Sequence, residues 1–146
     1  YVVAQIQQPS ILIAQSMGGI FAIAATLQKT DLIKGLVLIA TSGGINLERF
    51  KVQDWRQLYR QEYLESPDWF VTTKVDYEEF LSTIEIETLL IWGDQDSVSP
   101  IEVGQYLNQI LKKSKLYIVE GGDHGLAKQD ADEVAIQINA YLKDSV

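Results

Sequence analysis

Apolar residues along the chain fall into two alternating patterns. One is the short unbroken run, seen at residues 10–14, 36–40, 88–92 and 115–119. Such runs of β-branched and aliphatic residues, bounded by Gly, Pro or polar residues, predict strands buried on both faces. The other is the helical repeat. Ile20, Ile23 and Leu27 predict an Ala-rich helix over 16–28, and Val134, Ile138, Tyr141 and Leu142 predict a final amphipathic helix. Between them, Ser99-Pro100-Ile101-Glu102 combines a capping box with proline at the first helical position, predicting a helix from Pro100 to about Lys112. Asp130 through Glu133 resembles a second capping box.

Residues 44–84 break this rhythm. They are rich in aromatics, and Val52, Trp55, Tyr59 and Tyr63 are spaced for one amphipathic helix, which Pro67 should end. The predicted order is strand, helix, strand, aromatic insertion, strand, helix, strand, loop, helix. That order implies an α/β fold, with about four mainly parallel strands flanked by helices.

Composition narrows the chemistry. The chain has 146 residues, twelve Lys and Arg against twenty Asp and Glu, a net charge of −8, no Cys and one His. One domain is expected. An acidic chain is a poor partner for nucleic acid. Without Cys there are no disulfides or thiolate metal sites, and one His rules out a multi-histidine metal site. No cofactor is expected, and the apolar runs are too short to span a bilayer. The absence of Cys and of a visible signal points to a cytoplasmic protein. The chain begins at Tyr1 rather than Met, so a longer parent is expected.

In parallel sheets, ligands bind beyond the carboxyl ends of the strands. Three such ends carry reactive side chains. After the first strand stands Ser16, flanked by Ala14 and Gly18, residues small enough to let a sharp strand-to-helix turn lift the hydroxyl above the sheet. The amide of Met17 would then face a developing negative charge at the helix start. After the fourth strand stands His124, the one imidazole able to activate that serine. A carboxylate is needed to orient it, and Asp94, Asp96 and Asp123 compete; spacing favours Asp96 only slightly.

These segments carry a family resemblance. Residues 11–19, Ile-Leu-Ile-Ala-Gln-Ser-Met-Gly-Gly, resemble the nucleophile elbow of the α/β-hydrolases, with Ala14 where a glycine is usual. Residues 84–96 resemble the family's acid strand and loop, with Glu87 where a proline is common. Gly122-Asp123-His124 resembles its histidine loop. The resemblance implies a Ser16, Asp96 and His124 triad, in the family's order, and the Met17 amide as one oxyanion donor. It casts residues 44–84 as a short cap within a single, truncated domain 1–146, with Trp55, Tyr59, Trp69 and Phe70 binding substrate.

The activity it implies is hydrolysis of a carboxylic ester with a hydrophobic acyl or alcohol part. Acyl transfer, thioester or carbon–carbon hydrolysis on the same triad is the alternative, as is an inactive binding module. The upstream segment that supplies the family's second oxyanion donor has no counterpart here. The strand near Ile11 is therefore expected at a sheet edge, open to pairing with another copy of the chain.

Overall fold

The computed structural model describes residues 2–52 and 55–145. The chain runs α1 (Val2–Gln5), β1 (Ser10–Gln15), α2 (Met17–Gln28), β2 (Ile33–Ile39), α3 (Trp55–Glu62), α4 (Asp68–Thr72), α5 (Glu78–Leu81), β3 (Thr88–Gly93), α6 (Ile101–Ile110), β4 (Ser114–Val119), α7 (Leu126–Gln129) and α8 (Ala131–Ser145). Strand order in the sheet is β1-β2-β3-β4, and every pairing is parallel. All four predicted strands are present, each within three residues of its expected start. Each parallel connection needs a crossover, which α2, the α3–α5 excursion and α6 supply.

Alternation along β2 divides the core. Leu36 and Leu38 face a cluster with Ala22 and Ile23 of α2, Trp92 of β3, and Val103 and Leu107 of α6. Val37 and Ile39 face the other side, with Leu89, Ile91, Leu126 and Val134. Helices on both faces cover a sheet whose central strands are mostly apolar, as a parallel sheet requires. Tyr141 of α8 pins its layer to the sheet. Its hydroxyl accepts from the Leu36 amide at 2.9 Å and donates to the Glu87 carbonyl at 2.6 Å. Gly35 makes this possible, because a Cβ there would lie 2.3 Å from that hydroxyl. β1 is an edge strand, and its Ile13 is 50% exposed.

Two expectations are corrected. The Ser99 capping box does not form: α6 begins at Ile101 behind Pro100, and the Ser99 hydroxyl makes no hydrogen bond. The reason is local. The Ser99 amide is turned back to Asp96 at 2.8 Å, and its carbonyl accepts from the Trp92 indole at 2.9 Å, which commits the residue to the preceding loop. The first strand is also not buried on both faces, because β1 lies at the sheet edge and its residues are half-buried or exposed. The aromatic segment carries the expected helix as α3, ended before Pro67, followed by the short helices α4 and α5. Of the predicted helix near Val52, the described part is α3, and residues 53–54 lie outside the described residues, as do Tyr1 and Val146. No helix among the described residues is long and apolar enough to cross a membrane.

Candidate active site

β1 ends at Gln15 and α2 begins at Met17, so Ser16 alone makes the turn. Its φ of 51° and ψ of −124° place a non-glycine residue in left-handed backbone, a strain of about 1–3 kcal/mol. Neighbours hold it there. The Ser16 amide donates to the Ile39 carbonyl at 2.9 Å. Its own carbonyl accepts from the Thr41 hydroxyl at 2.5 Å and from the Gly19 amide at 3.0 Å. Thr41 reaches the turn because residue 19 has no side chain: a Cβ at Gly19 would lie 2.3 Å from the threonine hydroxyl. At Gly18 a Cβ would meet that of Ala14 at 3.7 Å, ordinary contact, so small side chains suffice at both places.

His124 arrives from the loop after β4. Its Nε2 lies 2.9 Å from Ser16 Oγ, and its Nδ1 lies 2.9 Å from Asp96 Oδ2. A carboxylate can only accept, so the proton of the neutral ring sits on Nδ1 and Nε2 is free to accept from the serine. Asp96 is 5% exposed, and its second oxygen accepts from the amides of Val98 and Ser99, both at 2.8 Å. A buried carboxylate is tolerated only when its lone pairs are met in this way.

The structure separates the three competing aspartates. Asp94 Oδ1 accepts from the Gly121 amide at 2.8 Å, and Asp123 Oδ1 from the Gly125 amide at 2.6 Å. Both shape the histidine loop, while Asp96 meets the ring. The two loops touch at Gly93 and Gly122, where a Cβ on Gly93 would lie 2.1 Å from the Gly122 carbonyl.

Above these residues opens a cavity of about 820 Å³. Ser16, Met17 and His124 line its floor. Met17 opens α2, where first-turn amides lack helical acceptors. Trp55, Tyr59 and Phe70 of the α3–α5 excursion line the roof. Trp69 does not: it is 53% exposed and packs edge-on to Phe21, because α4 turns it away from the site. Arg56, Tyr63 and Thr73 line the roof as well, and Ser42 and Ser99 the walls, so the cavity is less apolar than the aromatic count implies. Gln15 also lines it, and its side-chain amide donates to the His124 carbonyl at 3.0 Å. A polar residue closing an apolar run was the visible sign of Gln15; nothing in the sequence pointed to its partner. Among the described residues, no group of three or more His, Cys, Asp or Glu is placed to hold a metal.

Comparison with known proteins agrees with this architecture. The chain is 24% identical to the uncharacterized hydrolase YugF of Bacillus subtilis, over 95% of this chain and 67% of that protein. It is 21% identical to a pimeloyl-[acyl-carrier protein] methyl ester esterase of Neisseria meningitidis, over 97% of this chain and 60% of that protein. Among solved structures, an esterase from Rhodococcus superimposes with a TM-score of 0.79 at 17% identity, over 99% of this chain and 70% of that one. The chain thus spans roughly two thirds of the length of these relatives. The family of TAP-like proteins matches residues 55–145, and with it the chain belongs to the α/β-hydrolase superfamily.

Proposed function

We propose that this chain carries a serine hydrolase site that cleaves a carboxylic ester through an acyl-enzyme. The observation that carries the reading is the hydrogen-bonded line Asp96–His124–Ser16, with 2.9 Å at each step, opening on a cavity. Ser16 Oγ attacks the ester carbonyl carbon and passes its proton to His124 Nε2. Asp96 holds the ring in the productive tautomer and stabilises the imidazolium. The oxyanion is met by the Met17 amide, a donor of a kind worth about 2.7–4 kcal/mol of barrier. Collapse breaks the ester C–O bond, and the alcohol leaves with the proton from His124. Water then attacks the acyl-enzyme, gives its proton to His124, and Ser16 recovers its own.

In this reading residues 44–84 form a cap, and Trp55, Tyr59 and Phe70 hold the apolar part of the ester. Similarity to a methyl ester esterase supports ester chemistry. A fluorophosphonate probe tests the site. Labelling of Ser16 is expected, lost in Ser16→Ala and strongly slowed in His124→Ala. No labelling of the wild-type chain would overturn the reading. A panel of esters graded by chain length then measures the aromatic roof.

A further inference from the structure

The roof of the cavity carries a cation that the ester chemistry does not use. Arg56 is the one Lys or Arg among the described residues lining the cavity. Its guanidinium carbon lies 4.9 Å from the centre of the Trp55 ring, and its Nε donates to the Val71 carbonyl at 3.1 Å. The hydrogen bond engages one edge of the group, through Nε. The terminal nitrogens keep four N–H donors in a fork of fixed shape. No carboxylate of the described residues lies within ion-pair distance of them. Glu62 also lines the cavity, and its charge holds the Tyr63 hydroxyl above its ordinary pKa.

A guanidinium held on the lining of a cavity, exposed to solvent and without an ion pair among the described residues, is a receptor for an anion. We propose that the substrate opened at Ser16 carries a carboxylate at the end remote from its ester, and that Arg56 binds it. One fork matches one carboxylate in two parallel hydrogen bonds, whereas a phosphate dianion calls for more positive charge than this wall holds. Trp55, Tyr59 and Phe70 lie on the same roof and suit an apolar spacer between the two ends. The substrate class is therefore a half-ester of a dicarboxylic acid. The substrate assignment rests on the hydrolase reading, but the anion site can be measured without turnover.

Calorimetry on the Ser16→Ala chain would compare monomethyl suberate with dimethyl suberate, ligands of similar length that differ by one charge. The monoester is expected to bind about tenfold more tightly, and the advantage to shrink to within about twofold in Ser16→Ala/Arg56→Gln. Binding of the diester should be the same in both proteins, which shows that the cavity is intact. Equal affinities without the second substitution, an advantage that survives Arg56→Gln, or no saturable binding of either ligand would each overturn the proposal. Fluorophosphonate labelling of the wild-type chain, set beside the discrimination measured in Ser16→Ala, separates the two readings. Labelling without charge discrimination overturns the Arg56 site alone, and discrimination without labelling supports the site while removing the hydrolase reading.

Discussion

Gln15 and His124 are joined across 109 residues by a hydrogen bond of 3.0 Å from the glutamine side-chain amide to the histidine backbone carbonyl. The next residue, Ser16, meets the ring of the same histidine. Two consecutive side chains of one turn therefore hold one residue at two points, and a loop containing Gly121, Gly122 and Gly125 needs such restraint. Gln15→Met keeps the length of the side chain and removes the donor. We predict a fall in kcat of roughly 10- to 100-fold with KM within about twofold, since small misplacements cost that much. Steady-state kinetics on an ester checks it, and full activity in Gln15→Met would reduce the contact to packing.

The approach of Gly93 to Gly122 brings the acid loop against the histidine loop. Gly93→Ala places a methyl group where the Gly122 carbonyl stands, and backbone on both sides cannot yield as a flexible side chain would. We expect a loss of about 1–3 kcal/mol in urea unfolding, as overpacking gives. Probe labelling of Ser16 should fall with it even where the protein remains folded. A folded variant labelled at the wild-type rate would show that the contact does not hold the two loops in place.

Strain at Ser16 separates stability from chemistry. The residue sits at φ 51°, a conformation that glycine adopts freely. Ser16→Gly is predicted to abolish labelling and to raise unfolding stability by about 1 kcal/mol, by relieving strain. Denaturant titration of the two proteins decides it, and a destabilised Ser16→Gly chain would mean that the surrounding hydrogen bonds outweigh the strain.

Arg49, Glu78 and Tyr106 form a closed set of contacts that ties the excursion to α6. Arg49 donates to Tyr106 at 3.0 Å and pairs with Glu78, and Tyr106 donates to Glu78. The bond to Glu78 raises the Tyr106 hydroxyl above its ordinary value of 10.0, and partial burial adds to this. A group whose pKa is raised on folding contributes stability that is complete below its unfolded pKa and lost as pH rises through the folded one. The stabilising contact is therefore expected to hold to about pH 10 and to weaken above it. Tyr106→Phe should lower Tm by roughly 2–4 °C at about pH 7, and less at about pH 11, where the wild type has begun to lose the contact. Equal losses at the two pH values would refute the linkage.

Much of the fold was legible because a parallel sheet covered on both faces writes itself as unbroken apolar runs. Leu36 to Ala40 could hardly be anything but an inner strand. The excursion was less legible. Its aromatics mark burial, but whether a ring faces the cavity depends on the direction each short helix takes, and Phe70 turned inward while Trp69 turned out. The capping box at Ser99 failed for a related reason: a distinct acceptor, Asp96, claimed the amide that local pattern assigned to the helix.

By itself the sequence determined which chemistry was available. One imidazole, a serine between small residues at the turn from strand to helix, and no thiol left few ways to build a nucleophile. It also constrained the topology, since each βαβ crossover has one favoured hand. Only the tertiary structure chose among Asp94, Asp96 and Asp123, because spacing along a chain does not set the direction of a side chain. It likewise joined Gln15 to His124 and set Arg56 over Trp55. Those relations arise where loops from separate strands meet, and hydrogen bonding across such a junction depends on ångström-scale packing that no local pattern of residues encodes.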